Sequence, residues 1–413
     1  MPKQTNPWLA LFALLLVSIF NFADRYLVTG LVGPLKEEFN VGDGFIGLLM
    51  GPAFVTLYVA AGIPIARFAD RHSRVKIIAI GCVVWSACTV MTGFAASPWQ
   101  IALARVGVGV GEAAFAAPAY SLLADFFKPE RRGIAFAILG LATYIGQIGG
   151  QGAGPIIAQA YDWRMAFFLL GGAGLALGLL LPLVVRDPPR GGAANAGEPI
   201  AFAMLLARLK MAPSFLLMAI AFGLGSLSGV SFGFWGPELF TRAYGIDPVA
   251  AKGAFAAYFG LSGMAGILLF GVVIDRLSKR SMEWPLTMGA LALFSATACI
   301  LAATWSPSFA LAKALAIPSG LMGGGWSIGF LATLAYILPD RFRASATAMF
   351  LAVTTLLGFF IGPWAAGQIS QAFGNDAQSL RIGLSVTIPV GFIAALLAWF
   401  AVSRVEKDRD RLA

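Results

Sequence analysis

Long apolar stretches alternate with short polar connections twelve times along the chain. Each stretch can cross about 30 Å of hydrocarbon at roughly 20 residues per crossing. The pattern predicts membrane helices near 8–34, 44–68, 76–96, 98–127, 133–160, 163–185, 213–240, 250–274, 284–304, 308–338, 344–372 and 380–404. The long polar interruption at 186–212 divides six spans from six. It gives a helical bundle over 1–185, a linker over 186–212, and a second bundle with a tail over 213–413. The linker opens on Asp187-Pro188-Pro189-Arg190-Gly191-Gly192, a flexible composition. Residues 200–211 read either as an amphipathic helix with Arg208 and Lys210 toward head groups or as an ordinary loop helix. The first span runs past signal-peptide length and has no clear small-residue cleavage site, so it is expected to stay in the mature protein.

Composition agrees with a membrane protein. Hydrophobic residues make up 59% and charged residues 12% of the 413 positions, too little polar surface to cover a soluble globule. The formal charge of +9 comes from short clusters between apolar runs, with no basic stripe of the kind that binds nucleic acid. Of the 29 Lys and Arg residues, 21 fall at the N-terminus, in the even-to-odd connections and in the tail, against 6 on the opposite side. That bias places both termini in the cytoplasm. Cys82, Cys88 and Cys299 lie inside spans without metal or disulfide spacing, and neither a metal nor a cofactor is expected.

The chain also repeats itself. Ala69-Asp70-Arg71-His72-Ser73-Arg74-Val75-Lys76 follows the second span, and Ile274-Asp275-Arg276-Leu277-Ser278-Lys279-Arg280 follows the eighth, 205 residues later. Phe127-Lys128-Pro129-Glu130-Arg131-Arg132-Gly133 has a counterpart in Leu338-Pro339-Asp340-Arg341-Phe342-Arg343-Ala344, and Gly33-Pro34 matches Gly236-Pro237. Duplicated six-span halves are a hallmark of transporters whose site lies near the bilayer midplane.

These motifs resemble the major facilitator superfamily along essentially the whole chain. Its loop pattern is Gly-x-x-x-Asp-Arg-x-Gly-Arg-Arg; this chain has Ala66 and Ser73 at the glycine positions of the first copy, and Gly271 and Ser278 in the second. The resemblance implies an all-α fold of twelve membrane helices in two pseudo-symmetric bundles. It also implies a cytoplasmic gate carried by Asp70, Arg71, Arg74, Lys76, Arg131, Arg132, Asp275, Arg276, Lys279 and Arg280. The plainer alternative is that these charges only set topology. Asn21-Phe22-Ala23-Asp24-Arg25-Tyr26 and Arg105-Val106-Gly107-Val108-Gly109-Val110-Gly111-Glu112-Ala113 are similar to the Spinster branch. That resemblance implies movement of lysophospholipid or sphingosine-phosphate-like lipids across a bacterial inner membrane.

Independently of any family, Asp24, Arg25, Arg105 and Glu112 are the costliest residues in the chain. Each ionisable side chain at mid-membrane costs roughly 2.5–3.5 kcal/mol on the lenient insertion scale. At about 1.5 Å per residue, Asp24 lies about 14 Å and Glu112 about 21 Å from the outer span ends. Arg105 and Glu112, two turns apart, share a helix face. Two carboxylates and two guanidiniums in a low-dielectric site can load a proton or grip an anionic head group; alternatively, they form a permanent network joining two helices. By the repeat offsets, their counterparts are Leu227, Ser228, Ile317 and Gly324, so the second half lacks these charges. One-sided retention favours function.

Asn21, Tyr26, Tyr144, Gln147, Gln151, Trp235, Glu238 and Trp326 are further candidates for a substrate cavity. Glu238, four residues before Arg242, reads also as a local ion pair, and Trp235 as an interfacial aromatic. Gly150-x-x-x-Gly154-Pro155 resembles the motif of superfamily antiporters. Gly107-x-Gly109-x-Gly111 lies inside an apolar span and suits close helix packing better than a nucleotide loop. The sequence thus points to a monomeric transporter carrying out proton-coupled export of an amphipathic anionic lipid such as a lysophospholipid, or alternatively to a proton-coupled transporter of a small organic acid or drug. A membrane lipid enzyme is disfavoured, because the single His72 lies in a loop and no nucleophile–base set occurs among the spans.

Overall fold

The computed structural model describes residues 5–69, 71–188 and 208–412, with side chains for all of these except Ile63, Pro129, Glu130 and residues 340–345. All regular structure among the described residues is helical. Twelve spans are long and apolar enough to cross a membrane: Pro7–Gly30, Asp43–Ala69, Arg74–Gly93, Pro98–Phe126, Arg131–Ala160, Trp163–Val184, Pro213–Tyr244, Pro248–Ser278, Trp284–Thr304, Phe309–Ile337, Ala346–Phe373 and Ala377–Val402. The even number of crossings returns the chain to the side where it began, here called the terminal side, opposite the far side.

The spans fall into two compact units. One takes in Met1–Ala194 with Asp247–Ala256, the other Asn195–Ile246 with Ala257–Ala413. The start of the eighth span thus groups with the first six. The division falls where that span changes from α-helix (Pro248–Phe255) to a π-helical stretch, Ala256–Leu261. Residues 200–207 of the suggested surface helix lie outside the described residues. Of its remainder, Arg208 and Lys210 are exposed and Leu209 packs into the core of the second unit.

Several spans are broken where the sequence suggests one rod. The first helix ends at Gly30 and a separate short helix, Val32–Phe39, follows. The fourth span is two helices, Pro98–Glu112 and Ala116–Phe126. Pro118 explains this break, since its ring cannot donate to the Ala114 carbonyl and crowds it. The chain instead tightens, with Ala114 N–H donating to Gly111 and Phe115 N–H to Glu112, each at 3.1 Å. Glu112 therefore ends a helix in mid-span.

Small residues let the backbones meet. A Cβ at Gly109 would sit 2.2 Å from the Phe54 carbonyl oxygen, and one at Gly320 would sit 2.4 Å from that of Phe259. Phe54 and Phe259 are 205 residues apart, as are the two loop motifs; Gly109 and Gly320 are 211 apart, as are Phe127 and Leu338. The duplication thus preserves one helix crossing in both halves. It also corrects two of the equivalences drawn from sequence. With a separation of 211, Arg105 corresponds to Ala316, which is buried, and not to Ile317, which is 44% exposed; Glu112 corresponds to Gly323, not Gly324. The second half still lacks the charges.

Gly146, Gly150 and Gly154 form the ridge on which the fifth span meets the first. Added Cβ atoms would meet Phe22 Cβ at 2.5 Å, Ala23 O at 2.4 Å and Leu27 Cδ1 at 2.8 Å. Gly109→Ala is expected to destabilise by about 1–3 kcal/mol through overpacking against backbone. Gly149→Ala, where a Cβ meets nothing within 4 Å, should be neutral or stabilising through helix propensity. Thermal unfolding of the two variants in detergent checks the contrast.

Candidate functional site

Asp24 and Arg25 are consecutive, so their side chains leave the first helix about 100° apart. Arg105 and Glu112 are two turns apart on the fourth span. The fold joins them crosswise: Arg105 Nη1 donates to Asp24 Oδ2 at 2.8 Å, and Arg25 Nη2 donates to Glu112 Oε2 at 2.5 Å. All four residues are buried, Arg25 being the most accessible at 8%. Two residues passed over in the sequence complete the arrangement. Thr89 Oγ1, from the third span, donates to Asp24 Oδ1 at 2.6 Å. The Phe54 ring, from the second span, lies 4.6 Å from the Arg25 guanidinium carbon and 5.2 Å from that of Arg105. A desolvated cation–aromatic contact is worth about 2 kcal/mol, so Phe54 lets two like charges share one neighbour. A Thr and a Phe in apolar spans carry no signal of this role in their own sequence context.

The two carboxylates differ. Both Asp24 oxygens accept hydrogen bonds, from Arg105 and Thr89, whereas Glu112 Oε1 is buried with no hydrogen-bond partner among the described residues. A buried carboxylate oxygen without a donor is costly, and a proton on that oxygen would relieve the charge. Arg105 Nε and Nη2 are also buried without hydrogen-bond partners among the described residues. The site thus holds both a place for a proton and donors suited to an anion.

The other candidates on the first and fifth spans lie near these residues in sequence or packing. Asn21 sits one turn before the Asp24–Arg25 pair, buried, with Nδ2 lacking a hydrogen-bond partner among the described residues. Tyr26 is buried and Tyr144 half-buried. Gln147 donates to Gln151 at 3.3 Å, both on the helix whose glycine ridge meets the first span. The second-unit candidates lie within that unit's own packing. Trp235 is fully buried and its indole N–H donates to Pro363 O at 2.8 Å. Trp326 packs 4.6 Å from Phe222. Glu238 accepts from Arg242 Nε at 2.9 Å, and Arg242 also donates to Asn375 O.

On the terminal side, the loop motif is bolted down through Arg74. Its guanidinium donates to Asp125 at 2.6 Å and Ser121 at 2.8 Å, while its backbone N–H donates to Asp187 at 2.9 Å. Ser73 Oγ also donates to Asp187. A carboxylate at a helix N-terminus is favoured by the exposed amides and the helix dipole. Asp70 lies outside the described residues. Arg71, Lys76 and Arg131 are exposed, and Arg132 Nε donates to Phe127 O at 3.1 Å. In the second copy, Asp275 and Lys279 pair with each other at 3.6 Å while both are 75% exposed; Arg276 and Arg280 are exposed as well. The sequence motif is duplicated, but among the described residues the buried anchor is in the first unit.

On the far side, Lys252 is 1% exposed and donates to Gly30 O at 3.0 Å. Gly30 ends the first helix, where carbonyls carry partial negative charge. Glu38 accepts from Trp163 Nε1 at 2.6 Å and from two nitrogens of Arg164. The Arg164 hydrogen bonds hold the Glu38 carboxyl below its ordinary value of 4.5. A depressed folded value means that this contribution to stability is present above pH 4.5 and is lost as pH falls through the folded value. The group is partly exposed, so the effect is small. Glu38→Gln should flatten the acid limb of a melting-temperature profile measured below pH 5.

The comparisons with known proteins agree with this architecture. Residues 14–356 match the family profile of the Major Facilitator Superfamily. A Mycolicibacterium smegmatis protein named as an MFS-type efflux pump is 29% identical over 97% of this chain and 94% of its own length. Human protein spinster homolog 1 is 28% identical over 96% of this chain and 80% of its own. The crystal structure of a bacterial homologue of the human lysosomal transporter Spinster, inward-facing and unoccupied, superposes with a TM-score of 0.86 at 25% identity, covering 98% of this chain and 99% of that one. A D-xylose–proton symporter shares the fold at 17% identity, with a TM-score of 0.75.

Proposed function

We propose, from the premise that this chain belongs to the major facilitator superfamily and is a Spinster-like multi-pass membrane transporter rather than an enzyme, that it moves an amphipathic anionic lipid together with a proton by alternating access. The substrate class is a lysophospholipid or sphingosine-phosphate-like molecule, and the chain works as a monomer in a bacterial inner membrane with both termini cytoplasmic. The observation that carries this reading is the crossed pairing of Asp24 with Arg105 and Arg25 with Glu112.

Those pairs are electrically balanced when empty. A proton added to Glu112 cancels one negative charge and leaves Arg25 able to receive a phosphate or carboxylate, bidentately where geometry allows. Proton and anion therefore favour each other's binding, which is a coupling free energy between two sites. Co-loading carries both species in one direction, set by the sum of their gradients, whereas the antiporter-like motif Gly150-x-x-x-Gly154-Pro155 on its own suggests exchange. The bilayer supplies both the solvent for the spans and the source of a lipid substrate.

The test is movement of a labelled lysophospholipid in proteoliposomes with and without an imposed pH gradient. Accumulation on the alkaline side supports the reading. Gradient-insensitive lipid movement makes the protein a facilitator and the charged cluster a structural joint. Flux of a small organic acid without lipid movement transfers the assignment to that substrate class, which the same guanidiniums would also suit.

A further inference from the structure

Six basic side chains lie on the far side, and four of them meet protein oxygens that answer their charge. Lys36 pairs with Asp43 at 2.6 Å, Arg164 with Glu38 and Arg242 with Glu238, while Lys252 donates to Gly30 O. The other two are Lys313 and Arg381, both in the second unit, and neither forms an ion pair among the described residues. Lys313 Nζ lies 4.7 Å from the centre of the Phe309 ring and 5.5 Å from that of Tyr258. The Arg381 guanidinium lies 5.8 Å from the Trp305 ring and donates to Ser306 O at 3.4 Å; its Nε is buried with no hydrogen-bond partner among the described residues. The two cations thus flank one segment, residues 305–313. Tyr244 ties that segment together, donating to Ser306 O at 3.0 Å with its ring 5.6 Å from Phe309.

The local fold does not reward either positive charge. Each cation is the fifth residue of a helix, Lys313 of Phe309–Ile337 and Arg381 of Ala377–Thr387, close to the end where the helix dipole favours anions. Asp376 is engaged in capping the second of these helices through Ser379. Depth places Lys313 opposite lipid head groups. Phe309–Ile337 has 29 residues, a length of about 43 Å against about 30 Å of hydrocarbon. Centred in the bilayer it overshoots by about 6 Å at each end, and Lys313 lies about 6 Å from its start. Tyr258, Trp305 and Ile317, one turn beyond Lys313, are exposed, so this flank faces the bilayer.

We propose that Lys313 and Arg381 form a binding site for the phosphate of an anionic phospholipid in the far leaflet, with Tyr258, Trp305 and Phe309 as the wall against its glycerol and upper acyl chains. The ammonium contributes a point charge and the guanidinium a planar fork of donors. Charge-assisted hydrogen bonds to phosphate oxygens are roughly twice as strong as neutral ones, and aromatic rings are at home where one end is apolar and the other wet. A soluble phosphate would meet the same charges but leave the aromatic wall unused, so the occupant is a lipid. The site shares no residue with the crossed pairs and stands whether or not transport is coupled to protons.

Native mass spectrometry of the full-length protein titrated with phosphatidylglycerol reads the affinity of the most tightly held lipid. Lys313→Gln and Arg381→Gln should each weaken it by about fivefold, and the double variant by about 25-fold. Lys313→Arg, which keeps the charge, should retain binding. Unchanged affinity in the double variant overturns the site and leaves both side chains as solvated interfacial anchors. Displacement of the lipid by an equal concentration of glycerol phosphate overturns the lipid assignment in favour of a soluble phosphate. A second measurement leaves both cations intact: phosphatidylglycerol brominated high on its acyl chain should quench the fluorescence that Trp305→Phe removes, and brominated phosphatidylcholine should quench it less. Equal quenching by the two lipids overturns the proposal as well.

Discussion

Arg105→Met is expected to lower stability by about 3–5 kcal/mol, because it leaves the Asp24 carboxylate buried without its cation. The pair is dry: Arg105 is 1% and Asp24 2% exposed, with 2.8 Å between Nη1 and Oδ2. Thr89 would be the remaining hydrogen-bond donor to the carboxylate, and one neutral hydroxyl does not balance a full charge. The same change also removes one of the two guanidiniums from the Phe54 ring. Adding Asp24→Asn removes the stranded charge, so the double variant should recover most of the loss. Neutral replacements for a buried ion pair are often tolerated where removal of one partner is not. Thermal unfolding of the four proteins of this cycle in one detergent measures the coupling. A double variant that loses the sum of the two single losses would show that the two residues do not act as a pair.

Glu112→Gln should separate transport from coupling. Glutamine has nearly the shape of glutamate but cannot ionise, so it holds the Arg25 pair in the charge state that protonation would otherwise produce. Arg25 remains over Phe54 and Tyr58, and anion binding should become insensitive to pH. Accumulation driven by a pH gradient should fall to the level of empty vesicles. Exchange of labelled for unlabelled substrate at equal pH should persist, because it needs the conformational change but no net proton movement. Loss of both activities together would instead mark Glu112 as a structural partner of Arg25.

Much of this was legible in the chain because lipid leaves few ways to arrange a backbone. Apolar runs of about 20 residues fixed the twelve spans to within a few residues, and the repeated Asp-Arg loops identified equivalent ends. Charge in an apolar span drew attention to Asp24, Arg25, Arg105 and Glu112. The crossing of their pairs was not legible, since it depends on which faces of the first and fourth helices meet. Gly109 sets how the fourth span lies on the second, and Gly146 how the fifth lies on the first, so the pairing follows from packing across three helix boundaries. Phe54 and Thr89 were missed for a related reason: each is unremarkable in its own helix and acquires a role only across a helix boundary. The break at Glu112 did have a signal, Pro118 six residues on, which the high apolarity of the span obscured. At the gate, sequence emphasised Asp70 and Arg71, while the buried anchor is Arg74, whose partners Asp125 and Asp187 lie 51 and 113 residues away.

Substrate-driven proton movement tests the central claim most directly. Proteoliposomes at equal internal and external pH, with a pH-sensitive dye trapped inside, would receive lysophospholipid on one side only. The expected result is proton movement in the same direction as the lipid in wild type, and lipid exchange without proton movement in Glu112→Gln. Lipid transport by wild type with no accompanying protons, or undiminished proton movement in the variant, would contradict coupling through the crossed pairs.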